Sequence, residues 1–191
     1  MAALSHTIET DRLRLQLVTL ELFDLCIAGH RGEAEALAEV VLCEEYLQDI
    51  AYLRMRREQL AADPSYAPWC VRMIVLKETK RVVGQIGFHT PPNPPGLREI
   101  APGGIEFGYR VYAPFRRNGY AKEAALGLVR WAAMEKGLET FVVSISPENA
   151  ASRALSRSMG FVKVGQQRDD VDGIEDVLVL KGPALQATIG S

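Results

Sequence analysis

The sequence predicts an α+β fold, in which a mixed, mostly antiparallel central sheet of about six or seven strands carries helices on both faces. The first observation is the order of the segments: a strand, helices, three consecutive strands, a helix, a strand, a helix and two strands. The second is their character, because Leu13, Leu15 and Leu17 alternate with polar residues as in a half-buried strand. The length of 191 residues fits a single domain, 1–191, with flexible ends.

The first third of the chain is predicted to be one strand followed by helices. Residues 1–10 indicate a loose start before the strand at residues 13–17. Residues 19–62 are rich in Leu, Ala and Glu and are typical of helix, with a break near residues 29–32 that gives two or three helices. Asp63-Pro64 and Ala67-Pro68 end this region, since the residue before a proline avoids helical backbone.

A hairpin and a long loop follow. Residues 70–76 and 81–89 are β-rich, and the four residues that join them suit a hairpin turn. Residues 90–104 contain five prolines and three glycines, so this segment is predicted to be a loop.

The second half of the chain alternates strands with helices. Residues 105–111 predict a strand, residues 119–136 a helix capped by Gly137, and residues 140–145 a strand of β-branched and aromatic residues. Residues 149–159 predict a short helix with Asn149 as its N-cap. Residues 161–166 and 175–180 predict two strands joined by a charged loop, residues 167–173, and the last residues indicate a frayed end.

Composition excludes several classes of function. The net charge of −2 gives no reason to expect a nucleic-acid partner. Cys26, Cys43 and Cys70 are odd in number and form no C-x-x-C pair, so we expect buried thiols in a reducing compartment and no metal site. No segment is typical of a signal peptide or of a membrane span, so we predict a cytoplasmic protein with no membrane partner.

Residues 104–124 carry the chemistry, because a strand there leads through a tight loop into a helix. The first amides of a helix have no internal acceptor and lie at the positive end of its dipole, so they bind phosphate. Gly119 allows the backbone to approach a ligand closely, and small Ala121 keeps the helix start clear. Arg116 and Arg117 add positive charge for a polyphosphate.

This segment resembles motif A of the GNAT superfamily of acetyltransferases, [Arg/Gln]-x-x-Gly-x-[Gly/Ala]. The match is carried by Arg116, Arg117, Asn118, Gly119, Tyr120 and Ala121. The resemblance implies an N-acetyltransferase that uses acetyl-CoA as cosubstrate, with no metal. It also implies that the loop amides hold the pyrophosphate of CoA, and that main-chain groups near Val111 pair with the pantetheine arm. A tight loop with solvated arginines is the alternative.

A second motif strengthens the resemblance. Asn149 stands at a helix start, Ser152 is the small residue three positions on, and Gly160-Phe161 follows the helix, as in the family's motif B. The resemblance implies that the Asn149 side chain bonds the pantetheine arm, although a plain helix cap would also explain it. The likeness covers residues from about 8 to 181, which it implies to be the core of the domain. The opening strand and the Gly160-Phe161 pair look most like the RimJ/RimL branch, whose named enzymes acetylate N-termini of ribosomal proteins.

Three residues are candidates for the proton transfers. Glu106 lies on the strand that leads to the loop, and many relatives carry a Glu there, so we predict that it takes a proton from the acceptor ammonium. Ser156 stands where many family members have a Tyr acid, seven residues after the motif B Asn; it could hold a water or the sulfur. His89 could line the acceptor cleft. Each also has a structural alternative.

The acceptor and the alternatives stay open at this point. The expected partner is an amine acceptor, either a small molecule or a protein N-terminus, and a homodimer is left open. Asp169, Asp170 and Asp172 could attract a cationic acceptor or form a solvated turn. The same ambiguity applies to the acidic helices, with Glu33, Glu35, Glu39, Glu44, Glu45 and Asp49. A non-catalytic acyl-CoA-binding module is the main alternative function. A nucleotide enzyme is less favoured, because both glycine-rich nucleotide signatures are missing from the sequence.

Overall fold

The computed structural model describes residues 7–169 and 173–190. Their backbone forms seven α-helices and eight strands. The chain divides into two compact units, one of residues 1–87 with 109–127 and one of residues 88–108 with 128–191. The single domain expected from chain length therefore stays a prediction.

The elements of the first part of the chain are four strands and four helices. They are β1 (Ile8–Glu9), β2 (Leu13–Leu17), α1 (Leu20–Ile27), α2 (Arg31–Ala38), α3 (Glu44–Gln48), α4 (Ile50–Ala62), β3 (Arg72–Leu76) and β4 (Val82–Phe88).

The second part of the chain has four more strands and three helices. They are β5 (Ile105–Val111), α5 (Tyr120–Lys136), β6 (Thr140–Ile145), α6 (Ala150–Ser158), β7 (Val162–Asp169), β8 (Gly173–Lys181) and α7 (Gly182–Ile189).

The described strands are hydrogen-bonded in the order β1-β2-β3-β4-β5-β6-β8-β7. The pairs β1–β2, β2–β3, β3–β4, β6–β8 and β7–β8 are antiparallel, whereas β5 and β6 are parallel. This confirms a mixed, mostly antiparallel sheet in an α+β fold. The strand count exceeds the predicted six or seven because the segment interpreted as a loose start contributes β1, in which Ile8 pairs with Leu15.

The core of the first unit follows the predicted alternation of β2. Leu13 and Leu15 are fully buried. A larger cluster of buried residues collects side chains from the helices and from β3, and Phe23, Tyr46 and Tyr66 are among its largest members. Burying such a side chain contributes about 1.5–3 kcal/mol, so the four short helices are held by their packing more than by their own length.

Aromatic rings organise the core of the second unit. The ring of Phe107 packs edge-on against Phe88 and against Phe161, with centroids 6.2 Å apart in each case. Phe88 also approaches Trp131, at 6.5 Å. Because successive strand residues point to opposite faces, burial of Phe107 on β5 sends its neighbour Glu106 to the other face. Glu106 is accordingly less buried than the residues on either side of it.

The proline-rich segment is a loop, as predicted, with a short 3-10 turn at Pro95–Leu97. The Asn93 amide donates to the Gly104 carbonyl at 2.8 Å, and the Asn93 side chain accepts from the Gly103 amide at 3.2 Å. These bonds hold the two ends of the loop together. In the same unit the His89 amide donates to the Glu106 carbonyl at 2.9 Å.

Two predictions for the C-terminal part are wrong. A charged loop was expected at residues 167–173, but Gln167, Arg168 and Asp169 continue β7 and pair with the start of β8. Polar side chains suit such a strand, since β7 lies at the edge of the sheet. The end interpreted as frayed contains α7, which begins at Gly182-Pro183; proline is well tolerated in the first turn of a helix.

The helical region divides more finely than the predicted two or three helices. It forms four, α1 to α4, and the breaks coincide with Gly29 at φ +78°, Glu39 at φ +53° and Asp49, whose backbone is non-helical.

The predicted cap of α5 is confirmed. Gly137 follows the helix with φ +67°, the left-handed conformation in which helices commonly end.

Candidate active site

The loop that precedes α5 is fixed by its own hydrogen bonds. The side-chain amide of Asn118 donates to the carbonyls of Phe115 and Arg116, at 3.0 and 3.1 Å. Arg117 and Gly119 have φ +64° and +80°, in the left-handed region. This conformation costs glycine little and a bulkier residue more. The sequence therefore places its glycine where the backbone requires one.

The amides at the start of α5 are the part of this loop that could bind an anion. The first bond of the helix runs from the Glu123 amide to the Gly119 carbonyl, at 3.1 Å. The amides of Tyr120, Ala121 and Lys122 precede that bond and so have no acceptor within the helix. They lie at the positive end of a helix of 17 residues. This geometry fits a phosphate group.

Arg116 is oriented by the strand that it follows. Its Nε donates to the Val111 carbonyl at 3.0 Å, while its side chain is exposed. A carbonyl oxygen has two lone pairs, so Val111 retains acceptor capacity. Arg117 is also exposed. The structure thus brings these three residues to one loop, and their predicted contacts with CoA stay predictions.

A polar clamp that the sequence analysis missed holds the start of α5. The carboxylate of Glu123 accepts hydrogen bonds from the Thr10 hydroxyl, the Arg12 amide and the Arg12 Nε, each at 2.7 Å. The Arg12 guanidinium also lies 4.9 Å from the centroid of the Tyr120 ring. Partial burial works to raise the pKa of Glu123, but the bonds from Thr10 and Arg12 outweigh it and hold that pKa below its usual value. No local sequence pattern predicts a contact between residues more than a hundred positions apart.

Glu106 and His89 lie together in the second unit. The main-chain amide of His89 donates to the Glu106 carbonyl at 2.9 Å, and His89 Nδ1 lies 3.8 Å from Glu106 Oε2. The Glu106 side chain is 14% exposed and that of His89 is 41% exposed. A carboxylate and an imidazole at this separation can exchange a proton after a small movement or through one water. The two residues singled out separately are therefore neighbours.

Asn149 caps α6, as predicted. Its side-chain oxygen accepts from the Ser152 amide at 3.1 Å, and its main-chain carbonyl accepts from the Arg153 amide at 3.1 Å. The side-chain oxygen is therefore engaged with the helix. The NH₂ group of the same side chain still offers two donors. Asn149 can thus cap its helix and donate to a ligand at the same time.

Ser156 lies on the packed side of α6. The residue is 2% exposed. Its main-chain carbonyl accepts from the amides of Met159 and Phe161, both at 3.1 Å. Phe161 in turn packs on Phe107. The serine hydroxyl therefore lies where the helix meets the core, and its predicted role at the sulfur stays a prediction.

The three cysteines are free thiols. Cys26 and Cys70 are buried, and burial raises the pKa of each thiol to about 11. Cys43 is partly buried, and burial likewise raises its pKa. Since the thiolate is the reactive form, these cysteines are poor nucleophiles. Within residues 7–169 and 173–190, no three His, Cys, Asp or Glu side chains are placed to hold a metal ion.

Several acidic residues considered for acceptor binding are paired with arginines. Arg31 forms ion pairs with Glu35 and with Glu44. Asp49 pairs with Arg110 at 2.7 Å. Such pairs reduce the negative charge that these helices offer to a cationic acceptor.

The charged turn offers no structural test of its predicted role. Asp169 is the last described residue of β7, whereas Asp170 and Asp172 lie outside the described residues. In the part of the chain that the structure describes, none of the helices is both long and apolar enough to span a bilayer.

Comparison with known proteins gives matches over most of the chain. Residues 12–162 match the family model described as acetyltransferase (GNAT) domain. The chain is 26% identical over 162 residues to the uncharacterized N-acetyltransferase YjdG of Bacillus subtilis strain 168, a match that covers 81% of this chain and 89% of that protein.

Solved structures share the fold. RimJ of Mycobacterium smegmatis, in complex with CoA-disulfide, has a TM-score of 0.65 at 16% identity and covers 98% of this chain and 95% of its own. The microcin C7 self-immunity acetyltransferase MccE, in complex with acetyl-CoA and AMP, has a TM-score of 0.60 at 16% identity, with coverages of 90% and 93%. At such identities the structures are evidence for the fold alone.

Proposed function

Because the chain belongs to the acetyltransferase (GNAT) domain family, we propose that it moves the acetyl group of acetyl-CoA directly onto a primary amine. The observation that carries the proposal is the family match at residues 12–162, which includes the loop before α5 and the cap of α6. The free amides at the start of α5 support it, because they fit a phosphate group.

The test of this function is release of free thiol from acetyl-CoA in the presence of an amine. The purified protein is incubated with acetyl-CoA and a panel of peptide N-termini, amino acids, polyamines and amine antibiotics, and products are identified by mass spectrometry. Thiol release that depends on one class of amine supports the proposal. Tight binding of acetyl-CoA with no turnover on any amine would support a binding module instead.

The proposed site for CoA uses each loop residue for one part of the ligand. The amides of Gly119, Tyr120 and Ala121 hold the pyrophosphate, with Asn118 keeping the loop in shape and Arg116 and Arg117 adding charge. Main-chain groups near Val111 pair with the pantetheine arm. Asn149 donates its NH₂ group to the same arm. Ser152 is the small residue that the motif has at the helix start, where a larger side chain would crowd the ligand. The assignments rest on the family motifs, and the hydrogen bonds described above are compatible with them.

We expect Asn149→Asp to weaken CoA binding with little loss of stability. Asp is an equally good N-cap, so the bond from the Ser152 amide is retained. The two NH₂ donors are lost and a negative charge is added, so the pantetheine arm loses a partner. CoA affinity by calorimetry and the melting temperature are measured on the same samples. Asn149→Ala is the control and should lower both. An unchanged affinity in Asn149→Asp would show that Asn149 is only a cap.

In the proposed reaction the amine nitrogen attacks the acetyl carbon and the C–S bond breaks. The acceptor ammonium first gives a proton to Glu106, since a protonated amine has no lone pair for attack. As the C–S bond breaks, the nitrogen gives its second proton to water, and the CoA sulfur, which leaves as a thiolate, takes up a proton from water. We propose that the Ser156 hydroxyl holds that water or the sulfur by hydrogen bonding.

A second candidate function is an acyl-CoA-binding domain without turnover. The specific observation in its favour is Ser156, which replaces the tyrosine acid of many family members and is 2% exposed. Thiol release decides between the two functions, as described above.

For the acceptor, we propose a protein N-terminus or a small-molecule amine, with the RimJ/RimL branch as the first to test. The opening strand and the Gly160-Phe161 pair support that branch, whereas the RimJ structure supports the fold alone. Peptides with free and with blocked N-termini distinguish the two acceptor classes. A homodimer and a cytoplasmic location stay predictions.

A further inference from the structure

The His89 imidazole is placed to work through Glu106, and we propose that it carries the proton from that carboxylate to water. The inference rests on the proposed function, because Glu106 needs a proton outlet only if it deprotonates an acceptor. His89 is then a positioning and relay residue, while Glu106 is the group that meets the amine. Three observations within the second unit carry the inference.

The first observation is that the His89 imidazole packs against β5 at Gly108. A Cβ atom built on Gly108 would lie 2.7 Å from His89 Nε2, closer than real Cβ atoms approach. The ring therefore occupies the space that any side chain at residue 108 would need. Glu106 and Gly108 are two residues apart on one strand and so share a face. The glycine thus leaves room for the imidazole, whose Nε2 is the ring atom nearest to the strand at residue 108.

The second observation is the distance between the titratable groups. His89 Nδ1 lies 3.8 Å from Glu106 Oε2, which is within ion-pair range and longer than a hydrogen bond. The main-chain bond from the His89 amide to the Glu106 carbonyl, at 2.9 Å, fixes the two residues relative to each other. A small side-chain movement or one water therefore completes the path.

The third observation is the difference in exposure. Glu106 is 14% exposed, so a proton that it accepts has limited access to solvent. His89 is 41% exposed and reaches water more readily. In the proposed relay the ammonium gives its proton to Glu106, Glu106 gives it to the neutral imidazole, and the imidazolium releases it to water. Both side chains return to their starting states, as turnover requires.

Gly108→Ala provides a direct test, because it moves the imidazole without altering either titratable group. The clash is with the far end of a flexible side chain, and the Gly108 backbone is not in the left-handed region, so the fold should tolerate the change. We expect Gly108→Ala and His89→Ala each to lower kcat by about 10- to 100-fold, since misplacement by about 1 Å can cost up to about 10²-fold. The KM for acetyl-CoA should change little.

The double variant shows whether Gly108 acts through His89. If it does, adding Gly108→Ala to the His89→Ala variant lowers kcat no further. Gly165→Ala is the matched control, because Gly165 is also a strand glycine and a Cβ there would meet nothing within 4 Å. Additive losses of kcat in the double variant would show that Gly108 does not act through the position of the His89 ring. Free imidazole in the buffer should restore part of the His89→Ala rate, and absence of rescue would overturn the relay.

A measurement independent of turnover separates this inference from the proposed function. The ring resonances of His89, assigned by comparison with His89→Gln, should move in Glu106→Gln and in Gly108→Ala at constant pH. They should stay unchanged in Gly165→Ala. Unchanged resonances in Glu106→Gln would overturn the pairing, even in an active enzyme. If the resonances move but no amine is acetylated, the pair exists and the acetyltransferase function fails.

Discussion

Glu106→Gln should lower the rate of acetyl transfer by about 10²–10⁴-fold, the usual contribution of general base catalysis. Glutamine keeps the shape and one acceptor oxygen but cannot take a proton. The acceptor is mostly protonated near neutral pH, because alkyl amines titrate near the lysine value of about 10.4. The variant therefore loses the step that produces free amine. The rate is measured by thiol release at saturating acetyl-CoA.

The pH dependence of that loss identifies its cause. As pH rises, free amine becomes available without help from the protein, so the loss should shrink. CoA affinity should stay unchanged, because a side chain on β5 before the loop should not contact the phosphates. Glu139→Gln, at an exposed position between α5 and β6, is the matched control and should have no effect. A uniform loss at every pH would point to acceptor positioning, and no loss would make Glu106 part of the scaffold.

Gly119→Asp should abolish CoA binding, the second large effect. It places a negative charge and a side chain at the amides that are proposed to hold the pyrophosphate. In the wild type, ligand at 100 times its Kd adds about 2.7 kcal/mol of stability. For a chain of this length each kcal/mol raises Tm by about 2–4 °C, so the variant should lose a shift of about 5–11 °C.

The fold should survive this substitution. Gly119 has φ +80°, and Asp is among the non-glycine residues that tolerate the left-handed region best. A Cβ there would meet Arg12 Nη2 at 3.4 Å, an ordinary contact with a cationic partner. Gly119→Asn separates charge from bulk, since it adds a similar side chain without charge and should keep part of the shift. An unchanged shift in Gly119→Asp would remove the pyrophosphate assignment.

The elements that the sequence predicted best are those with strong local signals. The bounds of β5 and β6 agree with the prediction, because runs of β-branched and aromatic residues are flanked there by loop residues. The start of α5 was within one residue, since Gly119 marks it. The Asn149 cap is also confirmed. The loop before α5 has its glycine at a positive φ, whereas its predicted contacts with CoA stay predictions.

What the sequence could not predict depends on contacts between distant residues. His89 lies beside Glu106 although the proline-rich loop separates them in the chain, and the sequence pattern does not show which residues of separate segments come together. The packing of the His89 ring against Gly108 likewise depends on the folded structure and has no signal in the sequence. Helix α7 was missed because a short C-terminal segment has weak intrinsic helicity, and packing decides its state. Leu185, buried at 2% exposed, shows that this packing exists.

The clamp on Glu123 has a consequence for synthesis of the chain. Its partners, Thr10 and Arg12, precede it by more than a hundred positions, so they leave the ribosome long before the start of α5 does. Contacts of such separation form late, because the entropy of closing the loop must be offset first. The N-terminal segment therefore waits, with Arg12 unpaired from Glu123, until more than half of the chain has been made. The start of α5 gains its hydrogen bonds to Thr10 and Arg12 only after that wait.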